Sequence, residues 1–122
     1  MSCSGLKQIE LPLTITKIES SAFAGCVELE AINLNNNITD IGQRAFAGLP
    51  LVPMKVTINE LPTNLKTIGG SAFYNGGSNI HITKIPDNVT TIEMMTFYLT
   101  PNVSISEFGS DGTGSKLQKI DT

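Results

Sequence analysis

Few residues of this 122-residue chain have the type and spacing that catalysis or metal binding requires. His81 is the only histidine, and it stands between two isoleucines of a predicted strand, Ile80 and Ile82. Because side chains alternate along a strand, His81 is predicted to point outward. No cysteine, histidine or carboxylate stands at ligand spacing from it, so neither a metal site nor acid–base chemistry is expected there. The sequence therefore predicts no enzyme, no metal and no cofactor.

The two cysteines, Cys3 and Cys26, stand at equivalent positions 23 residues apart. Neighbouring strands lie about 4.7–4.9 Å apart, a distance that does not exclude a disulfide. A buried pair of thiols is the other interpretation. A cysteine nucleophile would require a base beside it, and no histidine is close in the sequence.

Three segments match the N-glycosylation motif, and one loop is rich in glycine. The motifs can carry glycans in a eukaryotic secreted protein, but asparagine and threonine are equally ordinary turn and strand residues. The loop Asp111–Ser115 has too few carboxylates for calcium and no following helix for a phosphate, so it is predicted to be only a loop. The three motifs are Asn37–Thr39, Asn88–Thr90 and Asn102–Ser104.

Composition excludes several classes of partner. The net charge is −3 and only 16% of residues are charged, without a basic cluster. Binding to nucleic acid or to an anionic membrane surface is therefore not expected. The apolar runs are too short to span a bilayer, and the first residues lack the pattern of a secretion signal.

An Ile-x-x-x-Ala-Phe frame recurs through the chain and organises it. Its phenylalanines are separated by 23, 27 and 24 residues, a period typical of stacked repeats. The frame occurs at 18–23, 41–46, 68–73 and, with threonine in place of alanine, 92–97.

Each repeat, here called a rung, contains two predicted strands and a corner. The first strand follows Leu-x-x-Ile-x-Leu and often ends at proline, which cannot donate to a ladder. A second extended piece leads to the Ala-Phe corner, where a single helical or 3₁₀ turn is predicted. Rungs three and four each carry one extra residue, between Ile58 and Leu61 and between Ile82 and Ile85. Stacking is expected to align Ile9/Ile32/Ile58/Ile82/Ile105, Ile18/Ile41/Ile68/Ile92/Ile120 and Phe23/Phe46/Phe73/Phe97.

The whole chain, residues 1–122, is predicted to be one domain of about five rungs. Both ends resemble cuts through a longer array, and the last rung is interrupted by the glycine-rich loop. The rungs span 6–28, 29–54, 55–78, 79–101 and 102–122.

The pattern Leu-x-x-Ile-x-Leu-Pro-x-x-Ile-x-x-Ile-x-x-x-Ala-Phe-Ala-Gly-Cys closely resembles the BspA-like (Treponema-type) leucine-rich repeat family. The resemblance covers Leu6 to Ile120. It implies a right-handed leucine-rich-repeat solenoid, a β/α superhelix that is mostly β with one-turn helical or 3₁₀ corners. It also implies an extracellular or cell-surface location in a bacterium, a role in adhesion, and a protein partner on a host or neighbouring cell. In such a family setting, buried thiols at Cys3 and Cys26 are favoured over a disulfide.

Two surfaces are candidates for binding a partner. One is the strand lane, the outward residues of the first strands: Gln8, Glu10, Ala31, Asn33, Thr57, Asn59, His81, Thr83, Ser104 and Ser106. The other is an edge at the corners, formed by Tyr74, Tyr98, Met94 and Met95 with the apolar loop 49–54. The alternative interpretation is that this edge covers the side of the stack or contacts a neighbouring segment of a longer array. The predicted function is a non-enzymatic protein-binding or adhesion module, and the alternative is a structural spacer without its own ligand.

Overall fold

A computed structural model describes residues 5–93, 95–105, 107–108 and 119–120. Two-residue strands joined by turns make up this part of the chain, and none of the described residues is helical. The strands are β1 Gln8–Ile9, β2 Lys17–Ile18, β3 Ala31–Ile32, β4 Asp40–Ile41, β5 Thr67–Ile68, β6 Lys84–Ile85, β7 Thr91–Ile92, β8 Glu107–Phe108 and β9 Lys119–Ile120.

Strands of successive rungs pair in parallel. β1 pairs with β3, β2 with β4, β4 with β5, β6 with β8, and β7 with β9. The register places Ile41 opposite both Ile18 and Ile68, and Ile92 opposite Ile120. The predicted isoleucine ladder of the second strands is confirmed at these steps.

The ladder of the first strands departs from the prediction between rungs three and four. Ile9 lies opposite Ile32 as predicted, but Ile58 lies opposite Ile80 instead of Ile82. A shift of two residues keeps the same side chains on the inner face, and both Ile80 and Ile82 are buried. The predicted step from Ile58 to Ile82 is therefore wrong in register, although it is right in which face points inward.

A column of stacked phenylalanines runs through the core. Consecutive ring centroids lie 5.4, 5.5 and 5.6 Å apart from Phe23 to Phe97. Phe46 and Phe73 are completely buried, while Phe23 and Phe97 at the two ends of the column are half-buried. The predicted phenylalanine ladder is confirmed.

The four corners that the structure describes are successive turns, and the predicted one-turn helical or 3₁₀ corners are not seen there. Each corner begins with a hydrogen bond that closes a four-residue turn, such as Ala22 N–H to the Glu19 carbonyl at 3.1 Å. The third residue of this turn has a positive φ in all four corners that the structure describes, as in a type II turn. Such a residue interrupts a right-handed helix. The four residues are Ser21, Arg44, Ser71 and Met95, with φ between 57° and 60°.

In the corners of rungs one to three, alternate backbone N–H groups bond to the next rung. Phe23 N–H donates to the Ala45 carbonyl at 2.8 Å, and Phe46 N–H donates to the Ala72 carbonyl at 2.8 Å. The rungs approach so closely that a Cβ added to Gly42 would lie 2.5 Å from the Ser20 nitrogen. Parallel strands and these corner bonds together hold the rungs in register.

Candidate functional site

Large exposed hydrophobic side chains are concentrated along the corners. Seven are exposed in the part of the chain that the structure describes, and Leu13 alone lies elsewhere. We call the other six the corner edge: Leu49, Leu51, Val52, Met95, Tyr98 and Leu99. Leu51 is the most open, at 94% exposure. A concentration of exposed apolar side chains is a candidate contact surface.

Asn75 joins the two halves of the corner edge. Its side-chain nitrogen donates to the Leu49 carbonyl at 2.6 Å, and its backbone N–H donates to the Tyr98 carbonyl at 2.7 Å. The loop after rung two is thereby held beside the corner of rung four. Pro53, Phe97, Leu99 and Pro101 line a largely apolar cavity of about 560 Å³ there, together with Asn75.

Tyr74 and Tyr98 form a second aromatic column outside the phenylalanine column. Their rings stack at 5.3 Å, and the Arg44 guanidinium lies 5.8 Å from the centre of the Tyr74 ring. Tyr98 remains 49% exposed at the free end of this column. Because a guanidinium over a tyrosine face is attractive, the column fixes the position of the exposed ring.

Leu99 occupies a backbone conformation that favours glycine. Its φ is 58°, and the equivalent residue of rung one is Gly25, with a φ of 75°. A left-handed conformation costs a residue with a Cβ about 1–2 kcal/mol. Asn75 of rung three has a φ of 50° at the same position, so this conformation belongs to the corner, and in rung four it carries an apolar side chain that is 52% exposed.

The described residues of the strand lane are exposed, except Asn33. Asn33 is half-buried, and its side chain is bonded to the backbone of Leu11, so it is not free to contact a partner. Met94 and Ser106 lie outside the described residues. The exposed members are Gln8, Glu10, Ala31, Thr57, Asn59, His81, Thr83 and Ser104.

A cleft of about 420 Å³ opens in the lane between rungs three and four. Asn59 and Glu60 line one side, Thr83 and Lys84 line the other, and the buried Leu61 lies among the lining residues. Ile58 lies opposite Ile80. The next inward residue before a proline comes three positions later in rung three, at Leu61, but five positions later in rung four, at Ile85. The segment 80–85 is therefore longer than the segment of rung three that it faces, and its strand β6 pairs with β8 of the next rung. The extra residue in rungs three and four was the feature of the sequence that could have indicated the cleft. The sequence alone does not show that Ile58 pairs with Ile80, and the cleft depends on that pairing.

Of the two cysteines, the structure describes only Cys26. Cys26 is fully buried and disulfide-bonded, so the preference for buried thiols was wrong. The partner that the sequence offers, Cys3, is outside the described residues, as is the glycine-rich loop. Nowhere in the described ranges do three or more histidine, cysteine or acidic side chains cluster as metal ligands would.

Two of the three glycosylation motifs have their asparagine nitrogen in an inter-rung hydrogen bond. Asn37 donates to the Leu13 carbonyl at 2.9 Å, and Asn102 donates to the Ser78 carbonyl at 2.7 Å. Asn88 is exposed. The first two amides therefore hold neighbouring rungs together, which supports the interpretation of these asparagines as turn residues.

Asp40 belongs to a polar network on the ladder of second strands. Hydrogen bonds from Thr67 at 2.5 Å and Thr39 at 2.8 Å hold the pKa of the Asp40 carboxyl below its ordinary value. The nearby Lys17 and Lys66 add a smaller Coulombic contribution in the same direction, and partial desolvation opposes it. The network links rungs two and three.

Parallel pairing of successive strands, a phenylalanine column and recurrent corners indicate a repeat protein. The protein-family model of the BspA type leucine-rich repeat region matches residues 1–114, in six copies. The chain belongs to this family, whose repeats are protein-interaction modules. No curated protein and no solved structure matches the chain. The described part of the chain holds no helix of the length and apolarity that crossing a membrane requires.

Proposed function

We propose that this chain is a non-enzymatic adhesion module that binds a protein of a host or neighbouring cell through its corner edge. In the proposed arrangement the rungs form one right-handed solenoid over residues 1–122, carried by a secreted or cell-surface protein. The repeats commit the inward side chains to the core, so a partner selects among outward positions. The alternative is a spacer that holds another domain away from the surface.

The concentration of six exposed apolar side chains on one edge is the observation that carries the proposal. Interfaces draw most of their energy from a few aromatic and apolar anchors surrounded by polar residues. Tyr98 is such an anchor, stacked on Tyr74 and 49% exposed. The strand lane has no tryptophan, tyrosine or arginine, so its contribution is expected to be specificity through hydrogen bonds.

The test is titration of the purified chain by surface plasmon resonance against surface proteins from candidate host and neighbouring cells. Leu51→Ser, Tyr98→Ala and Leu99→Gly should each weaken a bound partner at least about tenfold, which is about 1.4 kcal/mol. Leu99→Gly should also keep or raise the melting temperature, because glycine relieves the positive φ.

Leu13→Ser is the matched control, since Leu13 is 68% exposed and lies away from the corner edge. It should leave affinity unchanged. An equal loss with Leu13→Ser, or binding abolished only by Thr57→Ala with His81→Ala in the strand lane, would overturn the corner edge as the contact surface. Failure of the whole panel to bind the unaltered chain would favour the spacer.

A further inference from the structure

The side chain of Asn33 closes the gap between the first strands of rungs one and two. The Leu11 N–H donates to Asn33 Oδ1 at 2.6 Å, and Asn33 Nδ2 donates to the Leu11 carbonyl at 3.1 Å. A carboxamide carries both a donor and an acceptor. It therefore satisfies the two peptide groups of Leu11 as a neighbouring strand would.

The equivalent gap between rungs three and four is open. Leu61 occupies in rung three the position of Leu11 in rung one, as the last buried residue before a proline. Its backbone N–H and carbonyl have no hydrogen-bond partner among the described residues. On the facing wall, Thr83 and Lys84 stand where rung two has Asn33, and neither carries a carboxamide. The register shift at Ile80 holds this wall away, which leaves the cleft of about 420 Å³.

We propose that this cleft binds the side-chain carboxamide of an asparagine or glutamine in an exposed loop of a partner protein. The carboxamide accepts from the Leu61 N–H and donates to the Leu61 carbonyl, as Asn33 does at Leu11. A carboxylate only accepts and an ammonium group only donates. Either would leave one peptide group unpaired, and an unpaired buried polar group is costly.

The size and walls of the cleft agree with this ligand. Its volume lies within the range of about 300–1,000 Å³ typical of pockets for small ligands, so a side chain enters without displacing a rung. Asn59, Glu60 and Lys84 are exposed at the walls and lie within reach of the loop that bears the side chain. That the carboxamide belongs to a protein rests on the proposed function. That the cleft recognises a carboxamide depends on Leu61 alone.

The experiment uses two capped amino acids as probes, N-acetyl-asparagine methylamide and its isosteric acid, N-acetyl-aspartate methylamide. Each is titrated into the ¹⁵N-labelled full chain at neutral pH while amide chemical shifts are recorded. The asparagine probe should shift the Leu61 and Thr83 amides in a saturable way, and the aspartate probe should shift them several-fold less. The Leu11 amide, already bonded to Asn33, is the internal control and should not move.

Variants of the two walls complete the test. Thr83→Asn and Lys84→Asn each place a carboxamide opposite Leu61 at an exposed position, and at least one should fill the cleft and abolish the response to the probe. Asn33→Ala should make the Leu11 amide responsive as well. No shift at Leu61 up to the solubility limit of the probe, or equal shifts with both probes, would overturn the proposal. That outcome would leave the corner edge untouched as a protein contact, and failure to find a protein partner would leave the probe result unchanged.

Discussion

The two inner phenylalanines of the column are the residues whose replacement should destabilise the core most. Phe46 has a ring stacked on each side, at 5.4 and 5.5 Å, and is completely buried. Phe73 has the same surroundings in the next rung. Because rungs lie above and below each of them, a cavity left by either ring cannot close by collapse toward solvent.

Phe46→Ala or Phe73→Ala should each lower the free energy of unfolding by about 3–5 kcal/mol. Phe23→Ala should cost less, since Phe23 is half-buried at the end of the column. Urea denaturation followed by circular dichroism measures all three variants. A loss below about 1 kcal/mol for Phe46→Ala would mean that the column is not the core.

The carboxyl of Asp40 should give the chain a small pH dependence in acid. Its pKa is lowered from 3.8 in the folded chain by the hydrogen bonds from Thr67 and Thr39, so the charged form is the one that stabilises the fold. The contribution is fully present above the unfolded pKa and is lost as the pH falls through the lower folded pKa. Since the group is close to solvent, the effect should stay below about 1 kcal/mol.

The stability difference between the natural chain and Asp40→Asn, measured by urea melts from neutral pH downward, should therefore shrink below about the ordinary carboxyl pKa. Thr67→Val is the paired variant, because it removes the strongest hydrogen bond while keeping the carboxylate. A difference that stays constant through the acid range would contradict this role of Asp40.

The period of the sequence was enough to predict which residues are buried. It was not enough to predict the hydrogen bonds of the polar side chains. Phe46, Phe73 and Ile41 are buried because each occupies an inward position in a repeat that has neighbours on both sides. The bonds of Asn33 and Asn75 depend on how closely two backbones approach across a rung. A difference of an ångström decides whether an amide faces solvent or a carbonyl, and the sequence carries no such distance.

At the scale of elements, the corners show how a local pattern can mislead. A short bridge rich in serine, glutamine and glycine suits one helical turn, and the hydrogen bonds that close each turn do span three residues. The helix is prevented by positive φ at Ser21, Arg44, Ser71 and Met95. These residues are not glycine, so the turn was not visible in their types. The inter-rung bonds of the corner, available only in the stack, offset the local cost.

Gly42 and Gly69 should not tolerate a side chain. A Cβ on Gly42 would lie 2.5 Å from the Ser20 nitrogen, and one on Gly69 would lie 2.6 Å from the Gln43 Cα. Backbone cannot move aside as a flexible side chain can. Gly42→Ala and Gly69→Ala should each lower the free energy of unfolding by about 1–3 kcal/mol, the usual range for overpacking.

Glu93→Ala provides the matched control, because Glu93 occupies the same position in rung four, already has a Cβ and is exposed. Its melting temperature should stay close to that of the natural chain. If Gly42→Ala melts at the same temperature as Glu93→Ala, the rungs do not approach as closely as the glycine contacts require.

At the scale of the whole molecule, stability should vary along the stack. Rungs two and three have neighbours on both sides, while Ile9 and Phe23 of rung one are half-buried. Native-state hydrogen exchange, which reports local opening, should therefore be slowest at the amides of Phe46 and Phe73 and faster at Phe23. Equal protection of these three amides would mean that the chain opens only as one unit.

The hydrogen bonds by which one described corner reaches the next all run in the same direction, and this gives the row of corners an electrical polarity along the stacking axis. Ser21, Phe23 and Gly25 donate to rung two, Arg44, Phe46 and Gly48 donate to rung three, and Phe73 and Asn75 donate to rung four. Aligned peptide dipoles add, as they do in a helix. In the described corners these dipoles form an aligned row whose positive direction runs from rung one toward rung four, although none of the described residues is helical. A negatively charged group is therefore expected to be more favourable at the rung-four end of this row than at the rung-one end.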